Sequence, residues 1–137
     1  MAEHLRAAGH EIDDLGTDSD APVDYPAFCA AAARAVVRGD ADLAVVLGCS
    51  VQGEQMAANK VHGARAALCY DELTARLARE HNDANVLSLG ARLLGDTRAL
   101  SIVDTFLATP FGGDRHVARV EQLHAIEAEE CGGEKDR

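Results

Sequence analysis

The feature that most constrains the fold is a series of three short apolar runs, each followed by a stretch with helical character. The runs are "DLAVVLG" (42–48), "ARAALCY" (64–70) and "NVLSLGA" (85–91). Each is largely aliphatic and lacks a regular polar alternation, which is typical of strands buried on both faces. Strands that alternate with helices predict a Rossmann-like α/β fold: a parallel sheet with right-handed crossovers and helices on both faces.

The stretches between and around these runs have helical character. Asp71 is suited to cap the helix that follows it, and Gly9 and Gly39 stand where helices commonly end. A further short segment, "HEIDDLG" (10–16), is a candidate strand near the start. The predicted helices cover residues 1–8, 26–38, 54–60, 72–82, 96–107 and 115–129.

Size and composition indicate one domain built from small aliphatic side chains. The chain has 137 residues, of which 47% are apolar and only 4% aromatic. These values suit helices packed on a buried sheet. We expect a single domain over residues 1–129 and a disordered polar tail over residues 130–137.

The charge and the cysteines argue against several classes of protein. The formal net charge is −10, whereas binding to nucleic acid or to an anionic membrane needs a basic surface. No apolar stretch approaches the roughly 20 residues of a membrane span, and the start lacks the apolar core of a signal peptide. No cysteine pair has metal-binding or redox spacing. We therefore expect a cytoplasmic protein with reduced thiols at Cys29, Cys49, Cys69 and Cys131.

The turn "GCSVQGEQ" (48–55) is the first candidate site. It follows the carboxyl end of a buried strand and opens a helix, so its backbone N–H groups suit an oxyanion. Glu54, in the first helical turn, is a candidate general base. The alternative is that Glu54 only caps the helix. The turn lacks the Lys and hydroxyl residue of a phosphate-binding GxxxxGK[ST] loop.

Polar residues elsewhere suggest a second set of contacts. His81 and Asn82 end a predicted helix, where an imidazole either interacts with the helix dipole or serves as an acid-base group. Arg115 and Arg119 are four residues apart and share a helix face, and Arg92 follows a strand. Guanidinium groups match phosphate oxygens, so the three arginines together suit a phosphate, although each arginine alone is more often a solvated surface residue.

Several stretches together resemble the type B ribose-5-phosphate isomerases, a family that includes galactose-6-phosphate isomerase. The resemblance extends to about Ile126 and is carried by "DYPAF", "GCSVQGEQMAANKVHGARAALC", "TARLAREHNDANVLSLGAR", "IVDTFLATPF" and "RHVARV". It implies a Rossmann-like domain that forms a homodimer with shared active sites. It also implies a sugar phosphate substrate and no metal or nucleotide cofactor.

The resemblance implies roles for individual residues. Glu54 matches the proton-transferring base, His81 matches the residue that helps to open the sugar ring, and Asn82 matches a substrate contact. A second branch of the family uses a cysteine at the position of Gly48, so that role does not pass to Cys49. The phosphate-binding set is matched by Arg92, Arg115 and Arg119, and the cradle for the enediolate by the backbone of Cys49, Ser50, Val51, Gln52 and Gly53.

The sequence departs from the family pattern in two places. Cys49 and Val51 replace cradle glycines, and a β-branched residue at positive φ would be strained by about 1–3 kcal/mol. The family's first strand and its Asp-His loop have no counterpart here. We therefore expect a sheet that lacks one strand, with Met1 an internal methionine or a misplaced start, and poor isomerase activity of the chain as written.

The predicted function is interconversion of ribose 5-phosphate and ribulose 5-phosphate through an enediolate, in the pentose phosphate pathway. Three alternatives remain open. The first is an isomerase for another sugar phosphate. The second is a catalytically degenerate family member that acts as a dimer partner, and the third is a module that only binds a phosphate ligand.

Overall fold

The computed structural model describes residues 1–132 of the 137. Three strands, β1 (Ala44–Gly48), β2 (Ala66–Leu68) and β3 (Val86–Gly90), form a parallel sheet in the order β1-β3-β2. Around it, in the described part of the chain, lie α1 (Ala2–Ala7), α2 (Tyr25–Arg38), α3 (Gln52–Ala58), α4 (Glu72–Asn82), α5 (Ala91–Leu94), α6 (Asp96–Ala108) and α7 (Arg115–Gly132). The predicted α/β fold with a parallel sheet is confirmed.

The central strand β3 separates two hydrophobic cores. All five of its residues are buried, because its two edges are paired and both of its faces are covered. Leu87 and Leu89 belong to a core with α4 and α6, whereas Val86 joins a core formed with α2 and α3. This alternation follows from the two-residue period of a strand. It also explains why "NVLSLGA" carries no exposed polar face.

The register of the sheet decides which loops are neighbours. Gly48 pairs with Gly90, so β1 and β3 end side by side. The loops that follow these strands therefore open at the same edge of the sheet, which we call the carboxyl edge. Helix α4 leads into the amino end of β3, so its last turn lies at the opposite, amino edge.

The prediction of a strand over residues 10–16 is wrong. This segment has no regular secondary structure, and only Ile12 packs on the core. A strand needs a hydrogen-bonded neighbour, and within residues 1–132 neither this segment nor the outer edge of β1 has one.

Several boundaries differ from the prediction. Strand β2 covers only residues 66–68 of the predicted 64–70, and the short helix α5 was not predicted. Helix α7 continues to Gly132, so residues 130–132 are helical rather than a disordered tail, and residues 133–137 lie outside the described part. The Asp71 cap is confirmed, since its carboxylate accepts a 2.7 Å hydrogen bond from the Thr74 N–H.

No helix in residues 1–132 combines the length and the apolar character needed to cross a membrane.

Candidate functional site

The cradle turn connects β1 to α3 at the carboxyl edge. Val51 is the residue before α3 and has a left-handed backbone with φ of 63°. Its side chain is fully buried and faces the end of β3, where a Cβ added to Gly90 would lie 3.1 Å from Val51 Cγ2. Its carbonyl accepts a 3.4 Å hydrogen bond from Ser88 Oγ. The positive φ expected for this position is therefore present, and the isopropyl group packs into the protein rather than over the open side of the turn.

Glu54 lies in the first turn of α3 with its carboxylate against the end of β1. The residue is only 9% exposed. A Cβ on Gly48 would collide with the Glu54 carboxylate, so only glycine at this position leaves room for it. None of the salt bridges found in residues 1–132 involves Glu54. The carboxylate is thus sheltered and free of a neutralising cation, as a general base requires.

Two residues of α2 lie close to the cradle turn and Glu54. The Tyr25 hydroxyl packs directly on Gly53, where any side chain would collide with the phenol ring. Burial raises the pKa of the Cys29 thiol, and the nearby negative charge of Glu54 adds to this effect. Both residues place α2 beside the cradle turn and Glu54. Neither residue was predicted to belong to the site, although "DYPAF" is part of the family resemblance.

Arg92 lies at the carboxyl edge with Glu54. It belongs to α5, which begins directly after Gly90, and Gly90 is the register partner of Gly48. Arg92 is exposed and makes no hydrogen bond or salt bridge with any described residue. The structure therefore brings together Glu54, the cradle and one of the three arginines.

His81 and Asn82 lie at the amino edge, in the last turn of α4. The ring of His81 stacks on His116, with centroids 4.2 Å apart and planes 12° from parallel. The Gly112 N–H donates a 2.9 Å hydrogen bond to the Glu80 carbonyl, so the loop before α7 packs against the end of α4. Arg115 and Arg119, on the first turns of α7, are therefore grouped with His81 and not with Glu54.

His116 is a candidate site residue that the sequence prediction missed, and its ring stacks on His81. It stands between the two predicted arginines of "RHVARV", and that position was the available signal. Burial, together with the charges of His81, Arg115 and Arg119, holds the pKa of His116 below its usual range. The stack is therefore favoured with a neutral His116 ring.

The predicted site residues thus form two groups at opposite edges of the sheet. The carboxyl-edge group contains Glu54, the cradle 49–53 and Arg92. The amino-edge group contains His81, Asn82, Arg115 and Arg119, and the unpredicted His116 lies with them. Because β1 and β3 are parallel, the loops that follow them lie at one edge of the sheet and the end of α4 lies at the other. Within residues 1–132, the two groups are therefore not in contact.

Comparison with known proteins identifies the fold and its relatives. The Ribose/Galactose Isomerase family model matches residues 1–123. Ribose-5-phosphate isomerase B of Mycobacterium tuberculosis (strain CDC 1551 / Oshkosh) is 49% identical over 129 residues, covering 93% of this chain and 80% of the relative. The Clostridium thermocellum ribose-5-phosphate isomerase B structure has a TM-score of 0.92 and 45% identity, and covers 94% of this chain and 87% of that one.

A further solved structure carries a ligand. Ribose-5-phosphate isomerase B from Mycoplasma genitalium with bound ribulose-5-phosphate has a TM-score of 0.87 and 42% identity to this chain. The alignment covers 93% of this chain and 85% of the other. The match of the family model over most of the chain agrees with these likenesses. The chain belongs to the Ribose/Galactose Isomerase family.

Proposed function

We propose that this protein interconverts ribose 5-phosphate and ribulose 5-phosphate, the activity named for its relatives. The observation that carries the proposal is the carboxylate of Glu54, buried against Gly48 at the end of β1, in the first turn of the helix that the cradle turn opens. Aldose-ketose isomerisation moves one proton between adjacent carbons. It needs a base, donors for an enediolate oxygen and a grip on phosphate.

Each step of the reaction is assigned to particular residues. His81 transfers a proton during ring opening, which produces the free aldehyde. Glu54 then takes the proton from C2, which leaves an enediolate with its negative charge on O1. The proton on O2 passes to O1, and return of the proton from Glu54 to C1 gives the ketose. Backbone N–H groups of residues 49–53 hold the developing negative charge, and Asn82 contacts the substrate.

The complete site is formed between two copies of the chain. The carboxyl-edge group of one subunit receives His81, Asn82 and the α7 arginines from the other. The separation of the two groups within one subunit supports this arrangement. So do the exposed apolar side chains on α7, at Val117, Leu123 and Ile126. A two-fold axis would make two identical shared sites.

The phosphate lies between arginines of both subunits in this arrangement. Arg92, Arg115 and Arg119 are exposed, and none of them is committed to a hydrogen bond or salt bridge within the described residues. Their guanidinium groups are therefore free to bind phosphate oxygens as planar forks. With this substrate, the protein would act in the pentose phosphate pathway in the cytoplasm.

The alternative of a catalytically degenerate dimer partner depends on a disturbed cradle. Because the Val51 side chain is buried against the end of β3, the replacement of glycine does not by itself obstruct the turn. Cys49, by contrast, is exposed within the cradle. An altered preference among sugar phosphates is therefore better supported than loss of chemistry.

Replacement of the base tests the proposal. Glu54→Gln keeps the shape of the side chain and removes its proton affinity, so turnover of ribose 5-phosphate should fall about 10²–10⁴-fold. The matched control is Glu3→Gln, an exposed position on α1, which should turn over like the native protein. A Glu54→Gln enzyme with native turnover would exclude Glu54 as the base. A native protein that binds ribose 5-phosphate without turnover would favour the binding module.

A further inference from the structure

A cluster of charged side chains surrounds the segment that follows His81 and Asn82. Asp83 ends α4 and has a left-handed backbone with φ of 46°. One carboxylate oxygen accepts a 2.8 Å hydrogen bond from Arg79 Nη1, and the other accepts a 3.0 Å hydrogen bond from Arg65 Nη2. Two guanidinium groups thus meet on one carboxylate. The left-handed conformation costs energy outside glycine, so these contacts hold a strained turn in place.

Arg65 also binds the backbone of this turn. Its Nε donates to the carbonyls of Asn82, at 3.2 Å, and Asp83, at 2.9 Å, and its Nη2 donates to the Asp83 carbonyl at 2.8 Å. The last carbonyls of a helix have no partner within the helix. Arg65 supplies such a partner for the carbonyl of Asn82, the residue that follows His81.

The same guanidinium reaches α7. Arg65 Nη1 lies 2.8 Å from His124 Nε2, and because a guanidinium only donates, His124 Nε2 must accept with its proton on Nδ1. Nearby, the Glu127 carboxylate accepts hydrogen bonds of 3.0 and 3.1 Å from the Gly63 N–H. Helix α7 carries Arg115 and Arg119 in its first turns. Arg65 therefore connects the turn after His81 with the helix that bears the phosphate arginines.

Arg79 holds the other side of the turn. Its Nη1 donates a 2.7 Å hydrogen bond to the Ala84 carbonyl, and its Nε donates to the Thr109 carbonyl at 3.2 Å. Its guanidinium also lies 5.7 Å from the centre of the Phe106 ring. Arg65 and Arg79 are mostly buried, with side chains 19% and 12% exposed. Both are occupied by protein acceptors, unlike the free arginines of the phosphate set.

We propose that Arg65 and Asp83 are positioning residues that fix His81 and Asn82 relative to Arg115 and Arg119. The inference rests on the proposed function, in which these four residues contact the substrate from the partner copy. Arg65 links the α4 turn to α7, and Asp83 joins Arg65 to Arg79. No single-point cation can replace Arg65, because its bonds diverge toward two carbonyls, a carboxylate and an imidazole.

Arg65→Lys tests the proposal with the charge retained. We expect kcat/KM for ribose 5-phosphate to fall about 10–100-fold, mainly in kcat, because a shift of about 1 Å at a reacting group costs this much. The matched control is Arg76→Lys, which alters an exposed Arg76–Glu80 pair of 2.7 Å on α4 and should change kcat/KM less than about 2-fold. A folded Arg65→Lys protein with native kcat would overturn the proposal. Asp83→Asn, expected to lower kcat in the same way, provides the test if Arg65→Lys does not fold.

A background variant separates positioning from general destabilisation. In a His81→Gln protein one of the positioned residues is gone, so adding Arg65→Lys should lower the remaining kcat by a smaller factor than it does in the native protein. An equal loss in both backgrounds would overturn the positioning of His81 by Arg65.

Amide hydrogen exchange tests the positioning role of Arg65 independently of isomerase activity. Arg65→Lys should speed exchange at residues 80–85 and 115–120, whereas Arg76→Lys should not. This measurement needs no turnover. If the native protein is inactive on ribose 5-phosphate, the proposed function fails while faster exchange still supports the positioning role. Unchanged exchange in Arg65→Lys would refute that role.

Discussion

Val51 combines two opposing effects in one residue. Its left-handed backbone is unfavourable for a β-branched side chain, yet that side chain is completely buried. The turn keeps the shape that glycine would adopt, and the isopropyl group offsets part of the strain by packing on the end of β3. The substitution therefore changes the energetics of the cradle more than its geometry.

The stability of Val51 variants should reveal the strain. Both Val51→Ala and Val51→Gly remove the buried isopropyl group, but only glycine also relieves the positive φ, by about 1 kcal/mol. We expect Val51→Gly to be the more stable of the two in urea denaturation. The usual order is the reverse, with glycine less stable than alanine by about 0.5–1 kcal/mol. A more stable Val51→Ala protein would mean that the left-handed turn stores little strain.

His116 should make the free energy of unfolding depend on pH. Its pKa is lowered in the folded protein by burial, by His81 and by the neighbouring arginines, from an ordinary value of 6.5. Below pH 6.5 the unfolded chain binds a proton more readily than the folded one, so stability falls as the pH falls. Above pH 6.5 both states are neutral at this residue and its effect disappears.

Denaturation at about pH 7.5 and about pH 5.5 measures this contribution. The His116→Gln protein should lose less stability between the two than the native protein. His10→Gln, at an exposed position outside the stack, should behave like the native protein. Identical pH dependence of the native and His116→Gln proteins would contradict the assignment.

At the scale of the elements, the short strand β2 is closed on its outer edge by a side chain. Asn59 Oδ1 accepts a 2.8 Å hydrogen bond from the Ala66 N–H, and Asn59 Nδ2 donates a 3.0 Å bond to the Ala66 carbonyl. The amide thus imitates a neighbouring strand at this residue. An edge closed in this way resists pairing with another chain.

Removing the Asn59 amide should destabilise β2. In Asn59→Ala the Ala66 N–H loses its partner, and we expect a cost of about 1–3 kcal/mol. Gln55→Ala is the matched control. Gln55 Nε2 donates a second bond of 3.2 Å to the Ala66 carbonyl, and both Ala66 groups stay paired to Asn59 without it. Urea denaturation should therefore show a clearly larger loss for Asn59→Ala, and equal losses would argue against the closed edge.

At the scale of the whole molecule, the candidate site residues belong to two groups that lie at opposite edges of the sheet. Parallel strands and a helical crossover direct Glu54 to one edge of the sheet and His81 to the other. The proposed homodimer resolves this separation by contributing one group from each copy. In this arrangement, turnover depends on dimer formation as well as on the individual site residues.

Mixing two inactive variants tests shared sites directly. Glu54→Gln and His81→Gln homodimers should each be nearly inactive, whereas a mixed dimer has one doubly altered site and one intact site. Random reassembly of equal amounts should recover about a quarter of native turnover, because half of the dimers are mixed and one of their two sites is intact. A mixture no more active than its components would mean that each site is built from one chain.

Residue patterns were sufficient for much of the fold. Aliphatic runs predicted the three strands, and the caps at Gly9, Gly39 and Asp71 predicted helix ends, because burial and capping are local requirements. The strand at residues 10–16 failed because a strand depends on a partner elsewhere in the chain. Helix α5 and the short extent of β2 also depend on contacts between distant segments.

The sequence by itself determined the α/β class, the alternation of elements and the residue types available for proton transfer and phosphate binding. Only the tertiary structure decided their arrangement: Glu54 against Gly48, His81 on His116, and Arg65 across Asp83 to α7. Local patterns record which surfaces must be buried, whereas sheet order and register decide which of the resulting loops become neighbours.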